Sequence, residues 1–273
     1  MRALWLIALV LAAKGAFGYT LCGFPGPSPV GFESFIETIA LKDLVYLGEI
    51  HTNVQVHLAQ LDAIKGLVSM GRHLVLALEM FQVPYQKPLD AYIQGEITQE
   101  ELFEETEYSS RWGYSPALYS PILKFAKEQK IPLRAIGVPS ELIEHVRQAG
   151  LVSSPSPYLP NPLLFPSAPY FARLETTYEE HPRLGSFSRF LEVQVAWDNG
   201  MAFAIRNSFL ADPGALLVVM VGAGHIQGGL GVPELVKKMF PQVLQSIVVP
   251  VSIPSELEPG EDFGIVVGQG GPR

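Results

Sequence analysis

The sequence predicts an α/β fold in which a mainly parallel sheet is flanked by helices, with an inserted helical region over the C-terminal edge of the strands. Short apolar runs alternate with stretches of helical periodicity, which is the pattern of a parallel sheet covered on both faces. Of the 273 residues, 48% are hydrophobic and only 17% are Asp, Glu, Lys or Arg. The chain can therefore bury a large core and is not intrinsically disordered.

Residues 1–18 are predicted to be a signal peptide that is removed from the mature chain. A short basic start precedes the apolar run Ala3–Ala13, which is too short to span a bilayer but matches the core of a signal peptide. Small residues at Ala16 and Gly18 favour cleavage after Gly18, and a buried N-terminal helix is the alternative. The sequence thus predicts an exported chain, periplasmic or otherwise extracytoplasmic, with a single mature domain over residues 19–273.

Cysteine content, the length of apolar runs and net charge exclude several classes of protein. Cys22 is the only cysteine, which excludes a disulfide framework, and Tyr19-Thr20-Leu21 before it lack the small residues of a lipidation signal. No later segment reaches 18 consecutive apolar residues, so the mature chain is expected to have no membrane span. The net charge of −8 becomes −10 when Arg2 and Lys14 leave with the signal peptide. Such a chain is not expected to bind nucleic acid, because phosphate contacts need clustered basic side chains.

Six short apolar runs are predicted to be buried strands: Leu44–Leu47, Leu74–Leu78, Leu133–Ile136, Leu216–Val221, Ile247–Val251 and Gly264–Val267. Helical patterns lie between them. One of them, Asn53–Met70, repeats apolar residues every three or four positions, with Thr52 as the predicted N-cap and Gly71 as the residue that ends it. Thr98 begins another helix through a capping box, and a third begins at Ser140.

An insertion interrupts this alternation at about residues 153–211. Six prolines between residues 153 and 169 exclude a continuous helix there. This segment is predicted to be an extended connection into a helical region at about 170–211. Ser186 is the expected N-cap of its long final helix.

Polar side chains follow three of the predicted strands at the point where each strand ends. Glu49 and His51 come after the first strand, Glu79 after the second, and His225 after the fourth. Since the carboxyl ends of parallel strands lie at one edge of a sheet, these four side chains are expected to converge. Two imidazoles and carboxylates can hold a divalent metal or perform acid–base catalysis. Any one of the four alone more often has a structural role, satisfying a nearby backbone group.

Common nucleotide-binding and hydrolase motifs are missing or incomplete. Gly222-Ala223-Gly224 follows a strand as in a dinucleotide-binding loop, but Gln227 stands at the third glycine position. The sequence has no P-loop, no G-x-S-x-G and no H-E-x-x-H.

The helical insertion carries polar residues that could line a binding cavity. Gln194 and Asp198 lie four residues apart on the apolar stripe of the long helix, so they need hydrogen-bond partners or a cavity. A buried network and a cavity-lining role are equally consistent with their positions. Tyr178 and His181 lie upstream in a polar segment flanked by aromatic residues, where either could reach a bound ligand.

Five segments of the chain carry a family resemblance: VYLGEIHTNVQVHLAQ, LALEMF followed by PLDAYIQG, the Trp112-Gly113-Tyr114 segment, LEVQVAWDNGMA and VGAGHIQGGLGVPELV. Over about residues 40–268 the chain resembles the ChaN-like haem-binding uptake proteins of the Tiki/TraB/erythromycin-esterase superfamily. That superfamily carries two G-x-x-H motifs and a glutamate, which correspond here to Gly48…His51, Gly222…His225 and Glu79. The resemblance implies an α/β sheet with a helical insertion over the site, and haem binding outside the cytoplasm in iron acquisition.

Haem binding is therefore the first functional hypothesis. The resemblance implies that a tyrosine holds the haem iron, and Tyr178 is the candidate by its position in the insertion. The resemblance also implies a homodimer with haem at the interface. Further candidates for contacts with haem are His181, Arg183, Gln194 and Asp198, and Arg173 and Arg189 are additional candidates for its propionates.

The alternative hypothesis is a metal-dependent hydrolase, such as a protease or an esterase, as other branches of the superfamily imply. His51, His225 and Glu79 would hold the divalent metal, with Glu49 or Glu79 as the general base. A third possibility is that the four polar side chains only stabilise the edge of the sheet.

Overall fold

A computed structural model describes residues 18–25, 28–180 and 185–267 of the chain. Apart from Gly18, the predicted signal peptide lies outside these residues. The strands are β1 (Tyr19–Gly23), β2 (Ser28–Pro29), β3 (Leu44–Glu49), β4 (Leu74–Gln82), β5 (Leu133–Gly137), β6 (Leu216–Gly222), β7 (Gln245–Val251) and β8 (Phe263–Val267). The helices are α1 (Phe32–Ile39), α2 (Val54–Ser69), α3 (Gln86–Gln94), α4 (Gln99–Glu105), α5 (Tyr108–Arg111), α6 (Pro116–Glu128), α7 (Ser140–Ala149), α8 (Ala168–Glu180), α9 (Phe187–Ala211) and α10 (Val232–Met239).

All six predicted strands form, and they pair in parallel within one sheet. The strand order is β2-β1-β8-β7-β3-β6-β4-β5. Every neighbouring pair from β8 to β5 is parallel, whereas β1 and β2 add an antiparallel edge. The predicted mainly parallel sheet is confirmed. No local pattern predicts β1, because most of its pairing is with β8 near the other end of the described chain, and its pairing with β2 involves only two residues of each strand.

Helices cover both faces of the sheet, as predicted. Successive side chains of a strand point to opposite faces. In β3, Val45 and Leu47 belong to the core that packs against α1 to α6, whereas Leu44 and Tyr46 belong to the core that packs against α7 to α10. Burial on both sides explains why the strands are continuous apolar runs and do not alternate with polar residues.

Helix α2 begins one residue later than predicted. Asn53 is the N-cap, and not Thr52, because the Asn53 side-chain oxygen accepts hydrogen bonds from the backbone N–H groups of Gln55 (2.9 Å) and Val56 (3.2 Å). The backbone N–H of Asn53 donates to Ile50 O (2.7 Å). This bond closes a turn that leaves Thr52 outside the helix.

Strand β4 runs four residues beyond the predicted end at Leu78 and contains a bulge. Leu78 pairs with Ala135 of β5, whereas Gln82 pairs with Gly137. Three residues of β4, Glu79–Phe81, therefore lie opposite a single residue of β5. A bulge interrupts the regular alternation of side chains along a strand. The bulge in β4 therefore determines the direction in which the Glu79 side chain points.

The predicted helical insertion contains α8 and α9, which follow the proline-rich connection. Ser186 caps α9 as predicted, accepting a hydrogen bond from the Arg189 N–H (3.3 Å). Asn199 of α9 fixes the connection, since its side-chain amide donates to Leu164 O and accepts from the Leu164 N–H (2.9 Å each). Among the helices that the structure describes, none combines the length and the apolar character needed to cross a bilayer.

Gly137 should tolerate no side chain, because a Cβ there would lie 2.4 Å from the Glu79 carbonyl oxygen and 2.9 Å from that of Phe81. Gly137→Ala is expected to destabilise the fold by about 3 kcal/mol through overpacking against the bulged backbone. Gly31→Ala is the matched control, since a Cβ at Gly31 meets no atom within 4 Å, and its cost should stay below about 1 kcal/mol. Urea unfolding measures both variants, and equal midpoints would contradict the tight packing of the bulge.

Candidate functional site

The strands that end in polar residues lie side by side, with β6 between β3 and β4. Their carboxyl ends bring Glu49, His51, Glu79 and His225 into one group, which we call the strand-end cluster. Glu49, His51 and Glu79 each offer a potential ligand atom within 4.8 Å of the others. Nε2 of His225 lies 3.6 Å from Glu79 Oε1. The structure therefore places together the four residues that the sequence singles out.

His51 is oriented by a buried carboxylate. Its Nδ1 lies 2.9 Å from Glu49 Oε1, which also accepts a hydrogen bond from the Tyr119 hydroxyl (3.0 Å). Glu49 and Tyr119 are both buried. Glu49 Oε2 has no hydrogen-bond partner among the described residues, and Nδ1 of His57 is 3.6 Å away. A buried oxygen without a partner is costly, so a cation or a water at this point would stabilise the site.

His225 has an equivalent arrangement on the other side of the cluster. Its Nδ1 lies 2.6 Å from Asp198 Oδ1, and the Tyr170 hydroxyl donates to Asp198 Oδ2 (2.5 Å). Asp198 is only 1% exposed. Of the two roles that the sequence leaves open for Asp198, the structure shows the buried network. Gly231 makes room for it, since a Cβ there would lie 2.9 Å from Asp198 Oδ2.

Glu79 lies between the two histidines. Its Oε2 accepts a hydrogen bond from the Gly222 N–H (2.6 Å) at the end of β6. Because Glu49 and Asp198 occupy the Nδ1 atoms, each histidine is left with Nε2 as the nitrogen that can bind a metal or exchange a proton. The arrangement therefore suits a cation between the histidines and equally suits acid–base chemistry.

Burial and charge act in opposite directions on the pKa values of the cluster. Burial lowers the pKa of His225, but the charge and the hydrogen bond of Asp198 outweigh it and raise that pKa to about 9. Burial also lowers the pKa of His51, and the hydrogen bond to Glu49 is the largest of the contributions that raise it above its ordinary value. Burial raises the pKa of Glu79, and the two histidines partly offset that effect. Without a metal, the cluster thus favours a protonated His225 near neutral pH.

His57 is part of the site, although it is not among the residues that the sequence singles out. It is only 4% exposed. Its ring nitrogens lie 3.1 Å from Gln60 Oε1 and 3.0 Å from His51 O, so it braces the segment that carries His51. The available signal is the spacing of His57 and Gln60, which places both on the buried face of α2.

Aromatic rings surround the two histidines. The ring centroids of Trp112 and Tyr114 each lie 4.8 Å from that of His51. Trp197 of α9 lies 6.1 Å from His225 in an edge-on arrangement. The sequence offers no signal for the first two contacts, because the segment between α5 and α6 reaches His51 only in the folded chain.

A cavity of about 550 Å³ opens onto the cluster, within the size range of ligand sites. Its polar lining includes His51, Glu79 and His225. Much of the remaining lining is aromatic or apolar: Trp112, Tyr114, Val138, Ile143, Trp197 and Met201. The other lining residues are Met80, Gln82, Arg111, Gly137, Ser140, Glu144 and Arg147.

Tyr178 and Gln194, which are also predicted to contact haem, do not belong to the lining of this cavity. The Tyr178 hydroxyl donates to Gly185 O (2.6 Å), and its ring packs against Phe187 and Phe190. Gln194 is half-buried on α9. His181 and Arg183 lie outside the residues that the structure describes.

The chain is thus an α/β protein whose mainly parallel sheet carries two carboxylate-oriented histidines at its carboxyl edge, next to a cavity. The chain belongs to the family described as haem-binding uptake, Tiki superfamily, ChaN, whose model matches residues 35–236. This confirms the resemblance that the motifs indicate.

Solved structures share the fold. A structure described as cofacial haem binding to ChaN of Campylobacter jejuni has a TM-score of 0.73 and 15% identity, and the match covers 91% of this chain and 96% of that one. The type III effector HopBA1 has a TM-score of 0.52 and 12% identity, with 94% of this chain and 100% of that one covered. At these identities the likeness concerns the fold alone.

A curated relative extends beyond this fold. The chloroplastic protein RETICULATA-RELATED 5 of Arabidopsis thaliana is 26% identical over 232 residues. The match covers 76% of this chain but only 31% of that protein. The chain thus spans about a third of the length of the relative.

The pair of His225 and Asp198 should make the stability of the metal-free protein depend on pH. The pKa of His225 is raised from 6.5 to about 9 in the folded state. The resulting stabilisation is therefore complete below about pH 6.5 and is lost as the pH rises through about 9. His225→Gln should remove roughly 1–3 kcal/mol of this pH-dependent change in the free energy of unfolding.

The measurement is urea unfolding in the presence of a chelator, at several pH values across that window. The wild-type protein and His225→Gln are compared by the slope of their free energy of unfolding against pH. Their absolute stabilities are not compared, because the variant also leaves Asp198 without its partner. Slopes that are equal in the two proteins would contradict the proposed ion pair.

Proposed function

We propose that this protein binds haem in the cavity over the strand-end cluster. Haem needs an apolar slot, an axial side chain such as His, Tyr or Met, and polar groups for its propionates. The cavity offers aromatic walls, the neighbouring side chains His51 and Tyr114, and two arginines, Arg111 and Arg147. This combination in one cavity is the observation that carries the proposal. Membership of the haem-binding uptake family supports it.

We infer that the haem iron is held by a side chain of the cavity lining, with Tyr114 as the first candidate and His51 as the second. The two rings are in contact, with centroids 4.8 Å apart, and both line the cavity. Tyr178 remains the candidate that the resemblance suggests. Its hydroxyl donates to Gly185 O, and the residue does not belong to the cavity lining, so geometry favours Tyr114.

We further propose that the mature chain is exported and acts in iron acquisition outside the cytoplasm. The apolar run that precedes Gly18 supports export. Cys22 is buried within β1, which supports a chain without a lipid anchor. The Campylobacter protein binds haem cofacially, and this supports a homodimer with haem at the interface.

Titration with haemin, followed by absorbance, tests the haem proposal. The wild-type chain should give a saturable shift of the Soret band. Tyr114→Phe or His51→Ala should change the band position or weaken the affinity by about tenfold, which corresponds to 1.4 kcal/mol. Tyr178→Phe should leave both unchanged, because the ring lies outside the cavity lining.

Circular dichroism of each variant separates a lost ligand from a lost fold. A Soret band that responds to Tyr178→Phe, and to neither Tyr114→Phe nor His51→Ala, would move the iron site out of the cavity to α8. Absence of any shift in the wild-type protein would overturn haem binding itself.

A metal-dependent hydrolase is the second candidate, and the two carboxylate-oriented histidines favour it. Metal-binding histidines commonly donate their other N–H to a carboxylate, and the strand-end cluster has this arrangement twice. His51, His225 and Glu79 would hold a divalent cation, since His51 and Glu79 belong with Glu49 to one group of potential ligand atoms and Nε2 of His225 lies 3.6 Å from Glu79 Oε1. The unpartnered Oε2 of Glu49 fits a positive charge nearby. A bound cation would act as a Lewis acid, with Glu49 or Glu79 as the general base.

Calorimetric titration of the metal-free protein with Zn²⁺ tests this second candidate. His51→Ala and His225→Ala should each abolish binding. Asp198→Asn should weaken it by about 10–100-fold, because Asp198 only orients His225. His73→Ala is the matched control, since His73 is exposed next to the opposite end of β4. Zn²⁺ affinity that is unchanged in both His51→Ala and His225→Ala would exclude the cluster as a metal site.

A further inference from the structure

One wall of the cavity is formed by a single face of α7. Ser140, Ile143, Glu144 and Arg147 all line the cavity. Their separations of three or four residues place them on the same side of the helix. The wall therefore brings a guanidinium group to a cavity that Trp112, Tyr114 and Trp197 also line.

The second arginine of the lining, Arg111, is committed to protein partners. It donates to Gln82 Oε1 (2.8 Å), to Glu107 Oε2 (2.9 Å) and to both oxygens of Glu141 (2.8 and 3.2 Å). Its guanidinium also lies 4.8 Å from the ring of Tyr85. Arg111 thus joins β4, α5 and α7, and a ligand would have to break several of these contacts to bind it.

Arg147 is held much more loosely. It pairs with Glu144 one turn earlier on α7, and both side chains are about half exposed, at 54% and 51%. Exposed pairs of this kind contribute little to stability. Glu144 also accepts a hydrogen bond from Gln148 Nε2 (2.8 Å), so it keeps a partner when Arg147 turns toward a ligand.

Two of the arginines that the sequence suggests for propionates, Arg173 and Arg189, do not reach this cavity. Arg173 is hydrogen-bonded to Glu258, and Arg189 to Glu192 (2.7 Å) and to Val146 O (3.0 Å). Neither belongs to the cavity lining. Within the described residues, Arg147 is therefore the cavity arginine with the fewest competing contacts.

We propose that Arg147 recognises a carboxylate of the ligand in this cavity, which is a planar, largely apolar ring system with at least one ionised carboxylate, such as a haem propionate. An arginine can bind a carboxylate through two parallel hydrogen bonds, and the geometry of that fork fixes the orientation of the ligand. The inference rests on the proposed haem binding and adds the residue that orients the ring.

The test compares haemin with haemin dimethyl ester, which has the same ring and iron but no free carboxylate. Absorbance titrations at low ionic strength give the affinity of each ligand. The wild-type chain should bind haemin about tenfold more tightly than the ester, and added salt should reduce that preference. Arg147→Gln should abolish the preference while leaving the affinity for the ester unchanged.

Two further variants change the preference in predictable directions. Glu144→Gln should increase the affinity for haemin severalfold, because it releases Arg147 and removes a negative charge. Arg147→Lys should retain part of the preference, since it keeps the charge but loses the fork. Arg206→Gln, on α9 outside the cavity lining, is the control and should behave as wild type.

The outcomes separate this inference from the function on which it rests. Wild-type protein that binds neither ligand overturns haem binding. Wild-type protein that binds both ligands equally, or an Arg147→Gln variant that keeps the tenfold preference, overturns the role of Arg147 and leaves haem binding intact. An equal loss of affinity for both ligands in Arg147→Gln also contradicts carboxylate recognition.

Discussion

The parallel pairing of β6 with β3 on one side and β4 on the other is the constraint on which the site depends. This pairing brings Glu49, Glu79 and His225 to one edge, although they lie far apart in the chain. The bulge in β4 then turns Glu79 toward the end of β6, where the Gly222 N–H holds it. Gly137 of β5 allows the bulged backbone to approach so closely. Sheet pairing therefore selects which residues meet, and the bulge sets their direction.

Two buried carboxylates are the main electrostatic cost of this arrangement. An ionised carboxylate is strongly disfavoured in an apolar interior unless it is paired and hydrogen-bonded. Glu49 is paired with His51 and Tyr119, and Asp198 with His225 and Tyr170. The two tyrosines belong to the cores on opposite faces of the sheet. Both layers of the protein thus contribute to the site, and each one orients a different histidine.

Local patterns predict the parallel sheet and the polar cluster, because buried strands are apolar runs and their carboxyl ends carry the polar residues. The bulge at Glu79 depends on pairing with β5, and β1 depends mainly on pairing with β8. No local pattern encodes pairing between segments so far apart in the chain. Trp112 and Tyr114 belong to the family resemblance, yet their contact with His51 is a property of tertiary packing. The insertion is predicted to be helical. The sequence alone does not show which of its residues line the cavity, and Trp197 is one that does.

The chemistry of the cavity changes from its polar cluster to its walls. The strand-end cluster offers imidazole nitrogens and carboxylate oxygens, which suit a small cation or acid–base chemistry. Trp112, Tyr114, Trp197 and Met201 suit a large flat ring. Because both sets of residues line the same cavity of about 550 Å³, a ring packed against the walls would restrict the access of water and ions to the cluster. The two proposed functions, haem binding and hydrolysis, would therefore compete for the same cavity.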